Sequence, residues 1–319
     1  RAAGYRTAAV GKWHLGYAPD NGPDSFGFDT HYGFREAFSL YAAENDPAIV
    51  SVHQDLFWER HIWRMGRSGP SAIVRDGAVV EETRYLTDAI LAEAARFMGD
   101  ALDAGEPFFA YVPFSAPHTP FQARAEDVDA IEGARDDNER VYAAMIRRLD
   151  YAVGKLVNVL RARGALDDTL VVFTSDNGAA AYTGATDNGP LRGGKFTQFE
   201  GGLAVPLVVK APGRPAAGVV DTPVLLTDLF ATLLAPLELP LPADRAYDSW
   251  DLLASTALPQ RRLFWRSDFN CAVRDGRWKL LRNDRDATLM LFDLRADPGE
   301  RDDVSAAHPQ LVHDLNAAL

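Results

Sequence analysis

RLDYAVGKLVNVLRARGALDDTLVVFTSDNG, residues 148–178, changes its apolar period partway along, and that change sets the fold class. Up to Leu160 the apolar residues Tyr142, Met145, Ile146, Leu149, Val153, Leu156 and Val157 recur at helical spacing, and Gly164 supplies the C-terminal stop. From Thr169 the run TLVVFT is continuously apolar and rich in β-branched residues, as expected of a central strand covered by helices on both faces. A helix feeding directly into such a strand is the signature of a layered α/β architecture.

The same alternation continues outward. Leu86, Ile90, Ala94, Phe97 and Ala101 mark a second helix that halts near Gly105, ahead of the strand-like PFFAYVPF. Downstream, VPLVVK reads as a short buried strand, APGRP as a turn and VLLTDLFATLL as a helix. After the proline-rich LELPLPAD linker, LFWRSDF, CAVRDGRWKLLR and LMLFDL predict short antiparallel strands, and HPQLVHDLNAAL a closing helix. These divide the chain into a larger α/β domain over residues 1–240 and a C-terminal antiparallel-sheet subdomain over 241–319.

The 319 residues are 47% hydrophobic and 24% charged, the balance of a soluble globular chain. No apolar run is long enough for a membrane helix. A net charge of −12 argues against a general nucleic-acid or anionic-membrane surface, although a local basic pocket can still hold an anion. The single cysteine, Cys271, allows no intrachain disulfide.

Four segments carry candidate chemistry. If GYRTAAVGKWHLG, residues 4–16, leaves the core as a strand, its two-residue period puts Lys12 and His14 on one face and Trp13 on the other. In TSDNGA, Asp176 and Asn177 offer hard oxygen donors beyond a strand end, suited to Ca²⁺ or Mg²⁺. In SAPHTPFQ, His118 sits between Pro117 and Pro120. In LRGGKFTQFEGGLAVP, Gly193 and Gly194 let the backbone approach a ligand that Lys195 can reach. Taken singly, each also fits a surface lysine, a structural histidine or an Asn-Gly turn. A second TDNG, Thr186–Gly189, follows no apolar strand and is read as a loop.

Together these segments resemble the sulfatase family. GYRTAAVGKWHLG is similar to that family's second signature, and GFDTHYGF, APHTPFQ, TSDNGA, NGPLRGGKFTQFEGGLAVP, RDGRWKLL and LFDLRADPGE resemble later blocks in the right order. The resemblance implies an alkaline-phosphatase-like α/β fold: a large mixed, mostly parallel sheet between helix layers, with a small antiparallel C-terminal sheet and closing helix. It also implies hydrolysis of a sulfate monoester, arylsulfatase-like, on an aryl or sugar alcohol.

By the same resemblance, Lys12 would bridge the nucleophile and sulfate oxygens, His14 would contact the nucleophile, His118 would protonate the leaving alcohol, and Lys195 would hold the sulfate. Asp176 and Asn177 would be two ligands of a divalent cation, Ca²⁺ ahead of Mg²⁺. The four basic side chains are expected to converge on one oxyanion. The family's nucleophile is a formylglycine made from cysteine or serine in a C-x-P-S-R-like block, installed by a formylglycine-generating or other sulfatase-maturating enzyme. No such block precedes GKWH here. SGPSA, Ser68–Ala72, has the wrong order, and Cys271 lies far downstream. The chain is therefore expected to be a piece lacking an N-terminal part and inactive alone; the resemblance leaves the compartment open among lysosome, periplasm, extracellular space and cytoplasm, with a periplasmic or secreted full-length protein favoured.

Many relatives carry arginine where Ala204 stands, which puts a structural ion pair in doubt. Residues 36–82 match no block; they line the alcohol pocket or form a surface excursion. The rival readings are a phosphonate or phosphate ester hydrolase and a non-catalytic anion-binding homologue.

Overall fold

The computed structural model describes residues 1–54, 56–214, 218–254, 258 and 260–319. The chain folds as two units, residues 1–169 with 183–186, and residues 170–182 with 187–319.

In the first unit the strands are β1 (Arg6–Lys12), β2 (Thr30–Phe34), β3 (Ile49–Val52), β4 (Val74–Arg75), β5 (Ala78–Val79), β6 (Phe108–Tyr111) and β7 (Phe121–Arg124). Its helices are α1 (Glu59–Met65), α2 (Leu86–Asp103), α3 (Ala125–Asp129) and α4 (Asp137–Ala162). A five-stranded mixed sheet runs β5-β4-β2-β1-β6. β1 is parallel to both β2 and β6, while β4 is antiparallel to β2 and β5.

α2 packs on β1, β2 and β6, and α4 packs behind it and against β7. All five α2 residues expected on the apolar stripe are buried. α4 departs from expectation. It buries Val141, Ala144, Met145, Ala152 and Leu160 but leaves Ile146 and Tyr151 exposed, so its contact face is narrower than its apolar stripe. Its start is well specified: the Asp136 side chain accepts from the Glu139 N–H, and the Glu139 carboxylate accepts from the Arg135 N–H.

The second unit holds β8 (Val171–Thr174), α5 (Glu200–Leu203), β9 (Leu207–Lys210), α6 (Asp228–Leu234), β10 (Arg262–Ser267), β11 (Asn270–Asp275), β12 (Trp278–Asn283), β13 (Thr288–Asp293) and α7 (Pro309–Ala318). β8 corrects the sequence reading. It pairs antiparallel with β9 in a two-stranded ribbon, and Phe173, facing Val208 across it, is 38% exposed. An apolar run announces that both faces tolerate burial; it does not say what covers them.

The helix expected over residues 224–234 begins only at Asp228, whose carboxylate accepts the Leu225 and Trp250 N–H groups and so fixes the loop before it. Of the expected APGRP turn, Pro215 lies outside the described residues. The antiparallel sheet β10-β11-β12-β13 is as expected. One face buries Val273, Leu280 and Leu291 with Leu315 of α7. The other buries Ala272, Leu281 and Phe292, with Phe199 from the glycine-rich segment against them. That face ties the C-terminal sheet to the segment carrying Lys195.

Candidate active site

In the first unit, Lys12 closes β1. Its N–H donates to the Pro113 carbonyl at 2.8 Å, so the end of β1 is bound to the segment that leaves β6 for His118. Only glycine fits beside it: a Cβ on Gly11 would lie 2.1 Å from the Pro113 oxygen. Regular strand stops there. Trp13 is buried, with its indole N–H donating to the Asn21 carbonyl at 2.6 Å. His14 is exposed and adopts φ 50°, so a left-handed turn, rather than the strand alternation expected, sets its direction.

His118 is held at three points. Its N–H donates to the Ser115 carbonyl at 2.8 Å, its own carbonyl accepts from the Tyr41 hydroxyl at 3.0 Å, and Nδ1 lies 2.7 Å from the Thr119 carbonyl. A carbonyl can only accept, so Nδ1 carries the proton of the neutral ring and Nε2 is its basic nitrogen.

The second unit brings Asp176, Asn177 and Lys195 together. The loop after β8 and the glycine-rich segment pack backbone to backbone: a Cβ on Gly178 would fall 1.8 Å from the Gly201 oxygen, and the Gly178 N–H donates to the Gly202 carbonyl at 3.0 Å. The Lys195 N–H donates to the Ala179 carbonyl at 3.0 Å. Burial pushes the Lys195 ammonium below the usual lysine range, and the nearby Asp176 carboxylate pulls it partly back. A lysine that has lost part of its water shell gains more from an incoming anion than a fully hydrated one.

Asn177 Nδ2 donates to the Gly178 carbonyl at 2.9 Å, which fixes Oδ1 as the acceptor end of the amide. Asp176 and Asn177 thus offer hard oxygens of the kind Ca²⁺ and Mg²⁺ take. Two donors form only part of a shell, and among the described residues no group of three His, Cys, Asp or Glu side chains is placed to hold an ion.

Sequence reasoning missed two supports of this arrangement. Asn188, in the second TDNG, is a clamp: its Oδ1 accepts from the Ala179 N–H at 2.9 Å and its Nδ2 donates to the Gly193 carbonyl at 2.8 Å. The repeated tetrapeptide was the available signal. The other support is a buried ion cluster. Lys279 Nζ lies 2.8 Å from Glu200 Oε1 and 2.9 Å from Glu300 Oε1, Arg274 pairs with Glu200 at 3.1 Å, and Arg192 donates to the Glu300 carbonyl at 2.8 Å. Glu200 opens α5, five residues past Lys195. Its cations come from β11 and β12. Cys271 is buried on β11, its Sγ 3.7 Å from Asp284 Oδ2.

The first unit thus carries a mixed sheet with helices packed on it, and the second an antiparallel sheet and a partly buried lysine near Asp176. The chain belongs to the sulfatase family, whose model matches residues 1–238. It is 34% identical over 288 residues to N-acetylgalactosamine-6-sulfatase of Canis lupus familiaris, covering 88% of this chain and 52% of that protein. It is 27% identical over 397 residues to N-acetylgalactosamine-6-O-sulfatase of Bacteroides thetaiotaomicron, covering 100% and 75%. Among solved structures it resembles Ps i-CgsB, determined in complex with k-i-k-neocarrahexaose, at TM-score 0.84 and 30% identity, covering 98% of this chain and 70% of that one. The chain spans about half the length of the mammalian relative.

Proposed function

We propose that the complete protein containing this chain hydrolyses a sulfate monoester of a carbohydrate, releasing the sugar alcohol and inorganic sulfate. The observation that carries the reading is Lys195: a partly buried ammonium, held by backbone-packed loops beside Asp176, in a chain whose family relatives are sulfatases. Carbohydrate is favoured over a simple aryl alcohol because the similar proteins are named for a sulfated amino sugar or were solved with a carrageenan oligosaccharide.

The roles follow the chemistry of each group. By the family resemblance, Lys12 and Lys195 are each assigned to the sulfate oxygens, whose negative charge they offset as the nucleophile approaches. His14 steadies the nucleophile. His118, protonated on Nε2, hands that proton to the departing alkoxide, while its Nδ1–H stays on Thr119. Asp176 and Asn177 would hold Ca²⁺, which when bound neutralises part of the sulfuryl charge. The family generally uses a formylglycine nucleophile, and its maturation enzyme is the expected partner.

The test is the complete protein co-produced with a formylglycine-generating enzyme, assayed for sulfate release from N-acetylgalactosamine 6-sulfate and for turnover of a phenylphosphonate monoester. Sulfate release with the higher kcat/KM, abolished in Lys195→Ala, is the expected result. Dominant phosphonate turnover, or anion binding without turnover, overturns it in favour of one rival or the other.

A further inference from the structure

Phe196, immediately after Lys195, breaks two rules at once. It is a bulky residue at φ 75°, a left-handed backbone that side chains with a Cβ resist, and its ring is 68% exposed. A glycine there would avoid both the strain and the wet hydrophobic surface. The ring is nonetheless held in place. It stacks on Tyr182 with centroids 5.6 Å apart and planes 21° from parallel, and the Lys195 ammonium lies 5.3 Å from its centre. Tyr182 is brought there by the Ala179–Lys195 backbone bond and by Gly194, where a Cβ would sit 3.3 Å from the Ala181 Cβ and 2.5 Å from the Ala179 oxygen.

A strained, exposed aromatic ring fixed beside an anion-binding lysine suits one kind of ligand, in which a sulfate is attached to a ring with an apolar face. We infer that Phe196, backed by Tyr182, is the shelf on which the sugar ring of the substrate rests while its sulfate lies on Lys195. The pyranose C–H face meets the aromatic face, and the hydroxyl edge stays in water. This deepens the sulfatase reading and rests on it, making Phe196 a specificity-determining residue rather than part of the sulfate-binding machinery.

The experiment compares wild type, Phe196→Ala, Phe196→Gly and Phe196→Trp in the complete, matured protein. With N-acetylgalactosamine 6-sulfate, KM should rise about tenfold in the alanine and glycine variants with kcat within about twofold, and Phe196→Trp should restore it. Inhibition by inorganic sulfate, which has no ring, should be unchanged in all four. Phe196→Gly, which relieves the φ strain, keeps the comparison free of misfolding, and its melting temperature should not fall. Saturation-transfer NMR reads binding without turnover: transfer from aromatic protons to the sugar ring protons should appear in wild type and vanish in Phe196→Ala. Transfer in an inactive wild type would sink the hydrolase reading and leave the shelf standing. An unchanged KM, a parallel rise in the sulfate inhibition constant, or no transfer in wild type would overturn the shelf.

Discussion

Lys279→Met should unfold the second unit far more easily than the loss of one lysine would ordinarily suggest. The lysine is fully buried, the second residue of β12, with Glu200 and Glu300 both within ion-pair distance. Methionine fills the same space but removes the only lysine of the cluster. Glu200 keeps Arg274, whereas Glu300, also fully buried, keeps among the described residues only the Glu200 N–H at 2.5 Å on its other oxygen. Breaking a buried pair in this way costs about 3–5 kcal/mol, because the surviving charge stays out of water. At roughly 2–4 °C per kcal/mol for a domain of this size, the melting temperature should fall by about 6–20 °C.

The loss should depend on pH, with a definite sign. Burial already pushes the Glu300 carboxyl above the usual glutamate range, and Lys279 opposes that push. Without the lysine the folded-state value rises further above the unfolded one. The stability Glu300 contributes as a neutral acid is then present at low pH and lost as pH rises through the folded value. Urea unfolding followed by Trp265 and Trp278 fluorescence should therefore show a larger deficit at pH 8 than at pH 5, and adding Glu300→Gln should recover part of it. A loss below about 1 kcal/mol at pH 8, typical of a surface pair, would refute the argument.

Other perturbations read other parts of the molecule. His118→Gln should slow hydrolysis of a sugar sulfate by about 10²–10⁴-fold and that of a nitrophenyl sulfate much less, since a good leaving group needs no proton; equal losses would remove the acid role. Gly178→Ala forces a methyl against the Gly201 carbonyl, so both the melting temperature and sulfate affinity should drop, and an unaltered variant would mean the two loops are not in contact. Glu59 is 1% exposed, and burial, only partly opposed by the Trp63 side chain and the Gln54 backbone, pushes its carboxyl up to about 7. Its folded value exceeds the unfolded one, so its stabilisation is complete in acid and disappears as pH rises through about 7. Glu59→Gln should flatten the pH dependence of first-unit stability between pH 5 and 8, and a slope equal to wild type would count against it.

Local pattern carried much of the architecture. The helical period located α2 and the core of α4, and glycine stops and turn residues located the ends of helices and the hairpins of the C-terminal sheet. The strand running into GKWH and the loop placement of His118 and Asp176 were likewise readable, because residue type and short spacing specify local conformation within one segment. Ordered blocks along the chain then indicated the family.

Tertiary structure alone decided the rest. The partner of β8 is a long-range choice that an apolar run leaves open. The positive φ at His14 and Phe196 is imposed by surrounding packing against local preference. Asn188 and Lys279 look ordinary in sequence, since a hydrogen-bonded clamp and a buried ion cluster exist only when residues 5 to 108 positions apart are brought into contact. Sequence period reports which face of an element is apolar; what that face meets, and which charge ends up without water, is settled by the packing of distant segments.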